Sequence, residues 1–185
     1  MVTRITIHSE PYSIEVETDR LKIVSATENH LPDLIALYGD LTVNRLVGAG
    51  ATLNAEQVAA KVQRWITRWS EHNPFSGYVV VDKASGEFIG QIILKWVKKS
   101  DPQLAEIGYL FVERHWNKKY ASECTGAVLN HLLPRLKRDG LPITTVIATA
   151  RVDNGASNAV LRKFMQYDGN RPRYGAPREW YLFNP

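Results

Sequence analysis

The stretch from Leu104 to Arg151 restricts the fold more than any other part of the chain. It reads LAEIGYLFVE, then a polar loop, HWNKKY, then a helical pattern from Ala121 to about Lys137, then the β-branched run ITTVIATAR. A chain that leaves a strand through a helix and returns as a strand makes a unit of parallel type. Ligands of such units gather in the crevice beyond the carboxyl ends of the strands. The loop with Lys118 and Lys119 lies at that end. Val128, Leu129, Leu132, Leu133 and Leu136 give the helix one apolar face. Pro134 falls inside this pattern, so a kink or an early end is expected there, and Gly140 is expected to stop the helix.

The segments around this unit are of other kinds. GYVVVDK, EFIGQIILKWV and LAEIGYLFVE are three apolar runs joined by short polar turns, which predicts an antiparallel meander. Thr3 to His8, Ser13 to Glu17 and LKIVSA (Leu21 to Ala26) read as strands. A helix is expected from about His30 to Tyr38. Asn54 is placed to cap a second one, in which Val58, Val62, Trp65, Ile66 and Trp69 recur at helical spacing. After ITTVIATAR, the run NGASNAVLRKFMQ reads as a helix and EWYLF as a closing strand. The order predicts an α/β fold: a mixed, mostly antiparallel sheet with helices on both faces. No linker or repeat divides the chain, so residues 1–185 are read as one domain.

Composition excludes some functions. No apolar run reaches the roughly 18 residues of a membrane span, and MVTRITIHSEPYSIEV has no apolar signal-peptide core. With one cysteine, Cys124, no intramolecular disulfide can form, and a reducing cytoplasm is the expected compartment. The net charge of +4 favours an anionic ligand and is too small to argue for nucleic acid by itself. Lys98-Lys99, Lys118-Lys119, Arg135 to Arg138 and Arg171 to Arg178 are either a basic face or ordinary solvated surface.

The lysine loop allows two readings. Helix N-termini carry unpaired N–H groups and partial positive charge. Asn117, Lys118, Lys119, Tyr120 and Ala121 could turn successive amides toward one anion. The other reading is a solvated basic turn, and the loop lacks the glycine that phosphate loops usually contain.

Four segments together resemble the GCN5-related N-acetyltransferases (GNAT), most closely the RimJ/RimL-like branch that acetylates ribosomal-protein N-termini. They are ETDRLKIVSAT, EFIGQIIL, AEIGYLFVERHWNKKYASE and NGASNAVLRKFMQY, which span residues 17 to 167 in the family's order. The resemblance implies acetyl-coenzyme A as cofactor and a primary amine, on a peptide or a small molecule, as acceptor, in a monomer or homodimer. It implies no metal. Leu110, Phe111 and Val112 would meet the pantetheine arm. Asn117 to Ser122 (with Lys118, Lys119, Tyr120 and Ala121) would meet the diphosphate. Asn154 and Ser157, the family's Asn-x-x-Ser, would touch the coenzyme, although Asn154 could cap a helix in any fold. Two departures stand out. Lys119 replaces the glycine of the loop pattern, with Asn117 where this branch often has another, and Met165 replaces a glycine after the last helix.

Acetyl transfer to an amine needs a proton acceptor, a donor for the thioester oxyanion and a tolerated leaving thiolate. Glu106, a lone acid inside an apolar strand, is the candidate base, and its place matches the catalytic glutamate of several family members. Strand alternation puts Glu106, Gly108 and Leu110 on one face and Ile107, Tyr109 and Phe111 on the other, so Glu106 is either a site residue or a solvated one. The amide of Leu110 or a neighbour would donate to the oxyanion. Leu161 stands where many members have a tyrosine acid, which leaves Ser157, Tyr167 or water. A nucleophilic Cys124 with His115 or His131 is the weakest of the schemes. A coenzyme-binding protein with a degraded loop is the alternative to an enzyme. Residues 29 to 72, with Arg64, Trp65, Arg68 and Trp69, would shape the acceptor side.

Overall fold

A hairpin of β1 (Val2–Ser9) and β2 (Tyr12–Thr18) opens the chain and turns at Asp19 and Arg20 into β3 (Leu21–Ser25). The structure is a computed structural model that describes residues 2–98 and 100–185. Lys99, half of the Lys98-Lys99 pair, lies outside the described residues. A 3-10 turn (Glu28–His30) leads into α1 (Leu31–Gly39), and Asp40 caps a short α2 (Leu41–Asn44) that the sequence pattern did not reveal. Asn54 caps α3 (Ala55–Ser70) as expected, in a reciprocal pair of 2.9 Å bonds with Gln57. The meander follows as β4 (Gly77–Asp82), β5 (Phe88–Lys98) and β6 (Asp101–Phe111).

After the lysine loop come α4 (Tyr120–Ala127), a π-helical turn (Val128–Leu132) and α5 (Leu133–Arg138). The helix does not break at Pro134. Val128 and Leu133 keep helical dihedrals, and the wider π-turn precedes the residue that has no N–H to donate. The chain ends with β7 (Thr145–Arg151), α6 (Gly155–Phe164), β8 (Gln166–Arg173) and β9 (Ala176–Phe183). β8 escapes a reading by pattern because QYDGNRPR has no apolar alternation. It lies at the sheet edge, pairs with β9 alone, and none of its residues is fully buried.

Among the described residues nine strands form one sheet, in the order β1-β2-β3-β4-β5-β6-β7-β9-β8. Every neighbouring pair is antiparallel except β6 and β7. One buried cluster lies beneath α4, α5 and α6 and takes Ile107 and Phe111 from β6; the opposite one lies beneath α1 and α3 and takes Leu110. The alternation expected for β6 is the one observed.

The β6–β7 contact shapes the site. It joins Leu104–Glu106 to Thr145–Ile147 and then ends. β6 stays paired with β5 up to Phe111, and β7 stays paired with β9 up to Arg151. Each strand therefore holds to its outer neighbour while the two part from each other. Gly90 allows the β5 side to approach so closely: a Cβ there would lie 2.4 Å from the carbonyl oxygen of Leu110.

Candidate active site

Backbone groups line the gap between β6 and β7, and alternation decides which. The Val112 amide donates to the Ile89 carbonyl at 3.1 Å, and the Val112 carbonyl accepts from His115 N at 2.9 Å. Leu110, two residues earlier, turns the same way, toward its partner Gln91 on β5. Against the expectation that Leu110 and Val112 offer backbone groups to a ligand, both groups of Val112 are bonded within the chain and Leu110 is turned toward β5. The odd-numbered residues turn the other way, as the 3.0 Å bond from Thr144 N to the Gln103 carbonyl shows at the start of the strand. Phe111 and Tyr109 therefore face the gap. Trp116 Nε1 donates to the Phe111 carbonyl at 2.7 Å, so the Phe111 amide and both backbone groups of Tyr109 are the ones turned to a ligand.

At the mouth of the gap the loop keeps a glycine backbone without glycine. Asn117 has φ 61° and Lys119 has φ 64°, both left-handed. Such a conformation costs an L-residue roughly 1–2 kcal/mol, less for asparagine. Lys119 is the N-cap of α4 and makes no side-chain bond to the helix. Alternating left-handed residues before a helix turn successive amides to one side, the form of an anion nest.

Arg20, on the β2–β3 turn, holds this loop in place. Its Nη2 donates to the Lys118 carbonyl at 3.0 Å, its Nε donates to Glu123 at 2.8 Å, and its guanidinium lies 4.6 Å from the centre of the Tyr120 ring. Thr18 Oγ1 donates to the other Glu123 oxygen at 2.5 Å. Burial pushes the Glu123 carboxyl up, but the bonds from Thr18 and Arg20 outweigh it and hold the group below the usual carboxylate range. About 100 residues separate these partners in sequence, so no local pattern could have joined them. An open cavity of about 630 Å³ adjoins the clamp, with Arg20, Lys119, Ser122 and Lys163 in its wall.

Asn154 meets the expectation that it caps a helix. Asn154 Oδ1 accepts from Ser157 N at 3.1 Å and caps α6. The Ser157 hydroxyl lies 2.9 Å from the hydroxyl of Tyr109, a bond that bridges from β6 to α6 across the gap. Burial pushes Tyr109 up to about 12, so its hydroxyl keeps its proton at neutral pH. Sequence reasoning placed Tyr109 on the correct face of its strand and gave it no role, because the register of α6 against β6 is not written locally. Tyr167 is not brought to this place: it stands half-exposed on the edge strand and donates to Asn170. Cys124 is fully buried, and burial pushes its thiol well up, away from nucleophilic chemistry.

On the opposite face of β6, Glu106 is buried rather than solvated. Its Oε2 lies 2.7 Å from Arg173 Nη2 and 3.2 Å from Lys95 Nζ. Lys95 also reaches the Tyr174 hydroxyl at 3.2 Å. Arg178, likewise buried, donates to the carbonyls of Gly48 and Arg173. Part of the presumed basic surface from Arg171 to Arg178 thus points inward. Arg171 pairs with Asp168, and Arg135 pairs with Asp139. In α3, Trp65 and Trp69 are core residues, and Arg64 is exposed. Among the described residues no cluster of His, Cys, Asp and Glu could hold a metal ion, and no helix is long and apolar enough to cross a membrane.

Comparison with known proteins agrees with this geometry. Residues 20–164 match the family model described as an acetyltransferase (GNAT) domain. The chain is 26% identical over 148 residues to the uncharacterized N-acetyltransferase YoaA of Bacillus subtilis, covering 80% of each chain. It is 32% identical over 75 residues to the uncharacterized protein YkkB of the same organism, 38% of this chain and 43% of YkkB, so that match spans less than half of the relative. Among solved structures, a GNAT-family acetyltransferase from Bacillus anthracis superposes with a TM-score of 0.75 at 20% identity, over 92% of this chain and 98% of its own. An acetyl transferase from Salmonella typhimurium, described as modifying the N-terminal serine of ribosomal protein L7/L12, superposes with a TM-score of 0.71 at 21% identity, over 91% and 96%. At such identities the likeness is one of fold.

Proposed function

We propose, from the premise that this chain belongs to the GNAT acetyltransferase family, that it moves an acetyl group from acetyl-coenzyme A to a primary amine by direct attack within a ternary complex. It is an N-acetyltransferase, and acetyl-coenzyme A is its cofactor. The observation that carries the mechanism is the parting of β6 from β7 after Glu106. It leaves the Phe111 amide and the backbone of Tyr109 free for an extended ligand, at the head of a left-handed amide nest.

Phe111, Tyr109, Asn117 to Ser122 and the Asn154–Ser157 cap would hold the coenzyme, whose thioester supplies the activated acetyl group. The amides from Asn117 to Ala121, with Lys118 and Lys119, suit a diphosphate. The Phe111 amide is the candidate oxyanion donor, in place of that of Leu110. The amine approaches on the Glu106 face and loses its proton to Glu106, directly or through water. Its nitrogen forms the new C–N bond as the C–S bond breaks. The Tyr109–Ser157 pair, which stays protonated at neutral pH, would donate a hydrogen bond to the leaving thiolate, whose ordinary thiol pKa of about 8.5 lets it depart without taking a proton from the tyrosine.

A second reading has one observation in its favour. Glu106 is held by two cations, which suits a coenzyme-binding protein with weak or no turnover. Calorimetric titration with acetyl-coenzyme A, followed by thiol release on a broad panel of peptide and small amines, separates the two. Binding with turnover supports acetyl transfer. Binding without turnover of any amine supports the second reading. No heat at millimolar coenzyme overturns both.

A further inference from the structure

The ion pairs of Glu106 say something about the acceptor. Two cations, Lys95 and Arg173, pair with this one carboxylate, and Arg178 donates to the Arg173 carbonyl. Nearby acids are committed elsewhere: Glu179 to Arg162 and Tyr181, Asp168 to Arg171, Asp153 to Arg151. Arg173 uses Nη2 on Glu106, while its other terminal nitrogen, Nη1, is buried with no hydrogen-bond partner among the described residues. A buried guanidinium with an unanswered donor is a costly arrangement in a finished core. Beside a binding face it is a donor waiting for an acceptor.

An amine at neutral pH arrives as an ammonium ion and must reach Glu106, where Arg173 already sits at 2.7 Å. A plain alkylammonium that displaced Arg173 would leave a guanidinium only 19% exposed without its counter-charge. An acceptor that brings its own anion avoids this. Its ammonium takes Glu106, and its anion takes the fork of Arg173, including Nη1. One hydrogen bond separates Glu106 from Arg173, so the two charges of the acceptor need only a few bonds between them. Tyr174, at the β8–β9 turn and 42% exposed, stacks on Arg173 and Arg178 at 4.9 and 5.2 Å and gives this place an accessible edge.

We propose that the acceptor is an acidic amine: a primary amine with a carboxylate or phosphate close to it, bound by Arg173 with Arg178 and Lys95 behind it. The inference rests on Glu106 being the base of the acetyl transfer. It is tested by thiol release from acetyl-coenzyme A with amines of similar length: 3-aminopropanoate, 2-aminoethyl phosphate, propylamine and 1,3-diaminopropane, plus Ser-Asp and Ser-Asn dipeptide amides. The acidic amines should exceed propylamine in kcat/KM by about tenfold or more, the worth of one charge-assisted hydrogen bond. The carboxylate, phosphate and dipeptide arms identify the source of the anion. Arg173→Gln should lower kcat/KM for the acidic amines more than for propylamine, and Arg173→Lys should restore part of the preference. The comparison of amines on the unaltered protein stands even if a variant fails to fold. Equal or better turnover of propylamine or the diamine overturns the inference and leaves acetyl transfer intact. Coenzyme binding with no turnover of any acidic amine also overturns it. No coenzyme binding overturns the acetyl-transfer reading and the inference together.

Discussion

Two places where the family pattern has glycine carry large side chains here, and the backbone answers them in opposite ways. Met165, after α6, has φ −130° and ψ 151°, extended chain that any residue adopts, and its side chain is buried in the core beneath α6. Lys119 has φ 64° and ψ 13°, with Asn117 beside it at φ 61°. At Met165 the chain needs no glycine conformation and has a buried side chain. At Lys119 it adopts the conformation that glycine favours and carries its strain. The same departure from a motif is thus neutral or costly according to φ, and φ cannot be seen in the letters.

The largest expected effect lies at Met165. Met165→Gly removes a buried side chain and frees the backbone of the unfolded chain, so it should destabilise by about 3 kcal/mol or more. Urea unfolding checks this, and a neutral result would break the comparison by showing that a glycine is still accommodated there.

The clamp that holds the strained loop comes next. Arg20→Met removes the bonds to Lys118 and Glu123. With solvent screening of a half-exposed arginine discounted, the loss should be about 1–2 kcal/mol, and acetyl-coenzyme A affinity should fall with it. pH gives an independent check. The folded state holds Glu123 below its ordinary value of 4.5, so its contribution is complete well above that pH and disappears as acid titrates the folded group. Urea midpoints taken down from pH 6 should therefore fall less steeply in Glu123→Gln than in the unaltered protein. Parallel curves would mean that the carboxylate is not a working part of the clamp.

Lys119 sharpens the comparison directly. Lys119→Gly should stabilise by roughly 1 kcal/mol, because glycine enters the left-handed region freely. Lys119→Ala keeps the strain and loses the ammonium. Glycine should thus be the more stable of the two variants by a similar margin in thermal unfolding. If the ammonium meets phosphate, both variants should lose the same fraction of coenzyme affinity, and the loss should shrink as salt rises.

What could be read from the sequence follows from the range of the interactions. The meander, the parallel unit, the Asn54 cap and the split of β6 into two faces are local patterns of period or spacing, and they were legible. β8 was not, since an edge strand needs no apolar face, and α2 was too short to show a period. Glu106 could be singled out as a buried acid, but its partners Arg173 and Lys95 belong to other strands and looked like surface charge. Tyr109 and Arg20 join the candidate site through helix register and a contact across half the chain. The direction of the Leu110 and Val112 amides depended on one register, fixed by the Val112–Ile89 bond.

The smallest expected effect is at Asn117, and it is the strictest test of whether φ decides these substitutions. Asn117 and Lys119 share nearly the same dihedral angle, so conformation alone would give their glycine variants equal gains. Asparagine enters the left-handed region at lower cost than lysine, because its short polar side chain bonds locally to the backbone. Asn117→Gly should therefore stabilise by only a few tenths of a kcal/mol, against roughly 1 kcal/mol at Lys119. Paired thermal unfolding of the two single variants resolves that difference. Equal shifts would mean that the side chain at position 117 does nothing to ease the turn, and that Asn117 carries as much strain as Lys119.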